Sequence, residues 1–267
     1  MRSFAGTALS WSTEGAITEV SLHRLPANEI GTEMLADLER LVEALPDLAR
    51  DTAALVVYGD TPAGFCAGAD LRELRAGLVG LAPAERSGRV RDFLVRMHRV
   101  LDALDEAPLT TIAAVHGVVF GGGFELALAC DLIVADRFAR FGFPELRLGL
   151  VPGFGGTARL ARETGSAVVR DLLLTGRSLN ASRAHGLGLV SQLAAEGRVL
   201  EVARATATQV AKLDRAAAVL AKRLAKPLPK EALAREIDVF CELFARPEVE
   251  AALDRFVRST DPMPYLP

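Results

Sequence analysis

Two glutamates stand where a carboxylate is costly. Glu125 ends the run Gly121-Gly122-Gly123-Phe124-Glu125, and Glu145 lies in Phe143-Pro144-Glu145-Leu146. Each occupies a glycine- or proline-marked turn beside apolar sequence, a setting that disfavours an ionised carboxyl unless it has a task. Paired carboxyls move protons and activate water, so if both face one pocket the chain is an acid/base enzyme. Blander roles are open to each. Glu125 could complement the dipole of a helix start, and Glu145 could be a first-turn acid after Pro144.

Two glycine-rich loops flank this pair in the sequence. One is Gly64-Phe65-Cys66-Ala67-Gly68-Ala69-Asp70-Leu71; the other runs from Gly117 through Gly121-Gly122-Gly123 to Glu125. Each follows an apolar, strand-like run and opens a helical pattern. Glycines at a helix start leave backbone N–H groups uncovered at the positive end of the dipole. If the loops converge, they supply two donors for one oxygen, the construction of an oxyanion hole for a carbonyl that gains charge. Close backbone packing is the plainer use of such glycines. Asp70 reads as a helix cap, and His23, His98, His116 and His185 have no spacing that suggests a triad or a metal site.

The elements that must position these loops alternate. Residues 16–22 read as a strand, and a helix follows with Met34, Leu35, Leu38, Leu41, Val42 and Leu45 on one face. Further strands are expected at 53–58, 109–115 and 132–135. Strands alternating with helices argue for an α/β fold with parallel strands, and alternation alone suggests a doubly wound sheet. Residues 71–104 are helical in pattern but interrupted by Gly77, Gly80 and Pro83, which predicts a mobile or irregular segment able to close over a substrate. From about Val199 the pattern is wholly helical, giving an expected division into residues 1–198 and 199–267. That region either covers a neighbouring subunit or packs on its own core, and residues 261–267 read as an extended tail.

Composition narrows the classes. A chain of 267 residues that is 50% hydrophobic can bury a large core, and 34 acids against 31 scattered bases, net −3, do not form a nucleic-acid footprint. Cys66, Cys130 and Cys241 are isolated, as in a reducing compartment. With no secretory pattern at the start and no apolar run of membrane-spanning length, the expected location is cytoplasmic, away from membranes.

The joint pattern resembles the enoyl-CoA hydratase/isomerase (crotonase) family. The resemblance runs through Phe65-Cys66-Ala67-Gly68-Ala69-Asp70-Leu71, Ala114-Val115-His116-Gly117, Gly121-Gly122-Gly123-Phe124-Glu125, Phe141-Gly142-Phe143-Pro144-Glu145 and Pro152-Gly153-Phe154-Gly155-Gly156-Thr157, over roughly residues 10–260. It implies a crotonase-like spiral of ββα units with a C-terminal helical region used in trimerisation, as a homotrimer or a dimer of trimers. It also implies an acyl-CoA substrate whose thioester oxygen lies between the N–H groups of Ala69 and Gly122, in fatty acid metabolism. CoA is then part of the substrate; no separate cofactor and no metal are expected.

Hydratases that resemble this chain carry both acids, at the positions of Glu125 and Glu145. Many isomerases keep only the second, and decarboxylases and hydrolases on the scaffold use other groups. The resemblance therefore implies reversible addition of water to an α,β-unsaturated acyl thioester, with Gly153 helping to hold the water. It places Arg24, Ala27, Ala67 and Leu71 along the CoA path. Leu253-Asp254-Arg255-Phe256-Val257-Arg258 lacks the Lys-Arg pair usual after that phenylalanine, leaving Arg255 and Arg258 to meet phosphates. The alternatives are an isomerase or another reaction of the family, an acyl group presented by a carrier protein, and a non-catalytic RNA-binding member.

Overall fold

The computed structural model describes residues 2–260. The chain opens with an antiparallel meander, β1 (Ser3–Ala5), β2 (Leu9–Glu14) and β3 (Ile17–Leu22), then crosses through the long helix α1 (Thr32–Asp51). In β3 every second residue is buried, so Val20 and Leu22 face the core as the period-2 pattern requires. Asp37, on the buried side of α1, accepts from the N–H groups of Ala8 (2.7 Å) and Leu9 (3.1 Å) and ties the helix to the first hairpin.

Three turns of one pattern follow. The first is β4 (Ala54–Gly59), β5 (Gly64–Cys66) and the helices α2 (Leu71–Leu78) and α3 (Pro83–Asp105). The second is β6 (Thr110–Val115), β7 (Val118–Phe120) and α4 (Gly122–Ala129). The third is β8 (Leu132–Asp136), β9 (Arg140–Gly142), a 3-10 turn over Glu145–Leu148, and the helices α5 (Gly156–Thr164) and α6 (Ser166–Thr175). In each turn the first strand joins a large sheet and the second a small one. The large sheet has the order β1-β2-β3-β4-β6-β8-β11, and the small one β10-β9-β7-β5, completed by β10 (Leu179–Asn180) and β11 (Gln192–Ala194) with α7 (Ala181–Gly186) between them.

From β3 onward the large sheet is parallel, with Ala54 opposite Thr110 and Ile112 opposite Leu132; the small sheet keeps pace, with Val118 opposite Arg140. This is the expected ββα spiral, not the doubly wound sheet that alternation alone suggests. The second strand of each turn is only three residues long and merges with a glycine loop, too short to read as a strand.

Residues 71–104, expected to be irregular, form two helices with a break only at 79–82. Pro83 begins α3 at a position where its missing N–H has no role, and so does not interrupt a helix.

The last four helices are α8 (Val199–Val210), α9 (Arg215–Ala225), α10 (Lys230–Phe244) and α11 (Pro247–Arg258). Val199, Ala203 and Ala207 of α8 pack on Ala54, Val56, Ile112, Ala114 and Val134, so a core of the large sheet crosses the expected boundary at 199. α10 packs on α3. α11 packs on α2, where Arg75 meets Asp254 (2.6 Å), and is tied to α3 by Arg86, which meets Glu250 (2.6 Å). The C-terminal helices thus lie on the chain's own core, one of the two arrangements left open by the pattern. The tail 261–267 falls outside the described residues. Among those residues no helix is long and apolar enough to cross a membrane.

Candidate active site

The two glycine loops converge. Ile30 bridges the first of them, donating to Gly68 O (2.7 Å) and accepting from Asp70 N (3.0 Å). Because successive N–H groups of extended chain alternate sides, Ala69 N–H between them turns away from that bridge. Asn28 seats the same segment by donating to Phe65 O (2.9 Å). In the second loop Gly121, at φ +48°, turns β7 into α4, and Gly122 N–H then stands in the first helical turn without an intrahelical acceptor. A Cβ on Gly68 would come within 2.9 Å of Phe120 O and 3.3 Å of Gly122 N, so the loops touch backbone to backbone. Ala69 and Gly122 line one cavity of about 920 Å³.

Glu125 and Glu145 line it too. Glu125, in the first turn of α4, is 1% exposed; its Oε1 accepts from both Phe154 N and Gly156 N at 2.7 Å, leaving Oε2 without a hydrogen bond among the described residues. Glu145 opens the 3-10 turn after Pro144, and its Oε2 is buried with no hydrogen bond. Its Oε1 closes on the second loop, since a Cβ on Gly121 would come within 2.5 Å of it. Burial pushes the Glu145 carboxyl up to about 8. Burial, and next the charges of Glu236 and Glu145, also push Glu125 well above the usual carboxylate range. The rest of the lining is largely apolar, with Phe93, Leu94, Leu148, Leu150, Phe154 and Phe240.

Gly153 lies on the same cavity, and its carbonyl accepts from His98 Nε2 (2.9 Å). Burial pushes this histidine down to about 4, which keeps it a neutral donor. The turn after Gly153 is held by two further side chains. Glu236 of α10 accepts from Gly155 N (2.5 Å) and Thr157 N (3.1 Å), while fully buried Arg159 donates to Phe154 O (2.9 Å), Asp105 (2.8 Å) and Asp102. None of His98, Arg159 and Glu236 stood out as a candidate in the sequence. The legible sign for Glu236 was an acid on the apolar stripe Leu233, Glu236, Phe240, all buried.

Of the four residues expected along the CoA path, Ala67 and Leu71 line the cavity. Arg24 and Ala27 stand behind the first loop instead. Arg24 is occupied by Asp70 (2.7 Å) and Glu29 O (3.0 Å), and Ala27 O accepts from Ala67 N (3.0 Å). Asp70 is a cap, accepting from Glu73 N (2.8 Å), as its position before a helical pattern suggests. Arg255 and Arg258 are exposed on α11. Among the described residues no cluster of three or more His, Cys, Asp or Glu is arranged to hold a metal.

Two sheets wound by ββα turns around a carboxyl-lined cavity define a crotonase-like spiral. The chain belongs to the enoyl-CoA hydratase/isomerase family, whose sequence profile it matches over residues 12–263. It is 37% identical over 250 residues to a probable enoyl-CoA hydratase of Rhizobium meliloti (strain 1021), covering 92% of this chain and 93% of that one. Among solved structures, Pseudomonas aeruginosa DspI matches with a TM-score of 0.75 at 31% identity over 97% of both chains. An enoyl-CoA hydratase from Bacillus halodurans matches at TM-score 0.82 over 93% of this chain and all (100%) of that one; at 23% identity this likeness bears on the fold alone.

Proposed function

We propose that the protein is an enoyl-CoA hydratase, adding water reversibly across the α,β double bond of an enoyl thioester. The observation that carries this reading is the pair of buried carboxyls on one cavity, each with an oxygen that accepts no hydrogen bond among the described residues. The thioester oxygen sits between Ala69 N–H and Gly122 N–H, where the enolate charge forms; one such donor contributes about 3 kcal/mol in comparable sites.

Glu125 Oε2 orients a water, with the Gly153 backbone beside it, and takes its proton as the hydroxyl attacks Cβ. Glu145 delivers a proton to Cα. Burial raises the proton affinity of both carboxyls, Glu145 to about 8 and Glu125 well above the usual range, so the pair holds a proton at neutral pH that it can deliver. The two acids act on one water and titrate together, so the proton belongs to the pair as much as to either member.

CoA carries the acyl group in this reading, with Ala67 and Leu71 along the pantetheine and the exposed Arg255 and Arg258 available to its phosphates; an acyl carrier protein would present the same pantetheine. Assembly as a homotrimer or a dimer of trimers is part of the proposal. The direct test is loss of the conjugated thioester absorbance of crotonyl-CoA on adding the protein. Glu125→Gln keeps the Oε1 acceptor for Phe154 and Gly156 but cannot take a proton, and Glu145→Gln cannot give one. Each is expected to lose about 100-fold or more in kcat. A wild-type protein that leaves the absorbance unchanged sinks the proposal.

A further inference from the structure

The turn that supports Glu125 is held from two sides. Its backbone N–H groups alternate between two carboxyls: Phe154 and Gly156 donate to Glu125, Gly155 and Thr157 to Glu236. Glu236 reaches the turn from α10, 81 residues further along the chain from Gly155, and is 7% exposed. Gly155 N–H goes to Oε1 and Thr157 N–H to Oε2, and only an ionised carboxyl offers two acceptor oxygens where an amide offers one, so the turn selects a charged group beside two other carboxyls.

We propose that Glu236 is a positioning residue of this site, fixing the 153–157 turn and acting through its negative charge on the Glu125–Glu145 pair. The surrounding charges leave it this influence. Arg159 of α5, the nearest cation, is engaged by Asp102, Asp105 and Phe154 O and makes no hydrogen bond to Glu236. From α3, His98 is neutral and bonded to Gly153 O, and Arg91 pairs with Asp238. From α11, Glu250 is held by Arg75 and Arg86, and Asp254 by Arg75. On α10 itself Lys230, Glu231, Arg235 and Glu242 are the other charged side chains. Arg159 still acts on Glu236 through its charge, and Glu236 in turn acts on Glu125 and Glu145. Its charge raises the proton affinity of both, and burial pushes its own carboxyl up to about 7.

The coupling stands on the carboxyl geometry; only its consequence for rate rests on the hydratase reading. It is tested by infrared titration of the buried carboxyls in the unliganded full chain, together with the pH dependence of crotonyl-CoA hydration. In Glu236→Gln the carboxyl midpoint is expected to fall by about one pH unit, the size of effect a single close charge produces. Both limbs of the kcat/KM profile are expected to move to lower pH with it. Glu236→Asp keeps the charge and is expected to retain the wild-type midpoint.

The midpoint reports folded molecules whatever their fraction. If Glu236→Gln does not fold, the double variant Glu125→Gln, Glu145→Gln reads the same coupling from the other end, because the interaction is reciprocal, and the Glu236 carboxyl left alone must then titrate lower. An unmoved midpoint in either folded variant overturns the proposal, even if kcat falls. A shifted midpoint in a protein that hydrates no enoyl-CoA upholds it and overturns the hydratase reading alone.

Discussion

The role proposed for Glu145 sets catalysis and stability in opposition. Folding raises its carboxyl from the ordinary 4.5 to about 8, so between those pH values the folded chain binds a proton that the unfolded chain has released. Stability from this group is therefore fully present below about pH 4.5 and falls as pH rises towards 8, and Glu236, raised to about 7, adds in the same direction. Glu145→Gln does not titrate. Its melting temperature relative to wild type is expected to increase steadily from pH 5 to pH 8, by an amount equivalent to a few kcal/mol, while activity is lost. A difference that stays constant with pH would contradict the burial of an ionisable group there. Glu125 and Glu145 were legible in the sequence because glycines and a proline mark their turns. His98 and Glu236 were not, because each reaches the 153–157 turn from a helix 55 or more residues away.

The glycine loops set the distances on which the site depends. Gly121 combines a left-handed φ of +48° with the close approach of Glu145 Oε1, 2.5 Å from where a Cβ would stand. Gly121→Ala is expected to cost about 1–2 kcal/mol in backbone strain and to displace the Glu145 carboxyl. It should lower the melting temperature by a few degrees yet reduce kcat far more, as stopped-assay kinetics beside calorimetry would show. Equal small losses in both would mean that Glu145 is free to shift without consequence. The loops themselves and the first strand of each turn follow from glycine spacing and apolar runs. The small sheet does not, because β5, β7 and β9 are three residues each and carry no period of their own. Pro83, read as an interruption, is the first residue of α3.

At the scale of the whole molecule the C-terminal helices complete the cavity: α10 brings Phe240 to its wall and Glu236 to its supporting turn. A buried ionic network anchors this end. Arg159 joins Asp102 and Asp105; Lys226 meets Asp105 (3.1 Å) and Asp131 (3.1 Å); and Lys222 meets Asp131 (2.8 Å) and the carbonyl oxygens of Ala107 and Leu109. Arg159→Leu removes one member and leaves buried charge less well compensated, which is expected to cost about 3–5 kcal/mol in denaturant unfolding. A loss under about 1 kcal/mol would contradict the role given to the network. The helices of 199–267 were legible from their period, but their attachment was not, since it depends on charges that meet only in the folded chain. All of these supports hold in place the two buried carboxyls and two loop N–H groups proposed to add water to a conjugated thioester. The most direct measurement is the product formed from crotonyl-CoA in deuterated water. The wild type is expected to form 3-hydroxybutyryl-CoA with one deuteron at Cα, and Glu125→Gln is expected to form none. Unchanged substrate, or a product with a shifted double bond and no added hydroxyl, would contradict the proposed hydration.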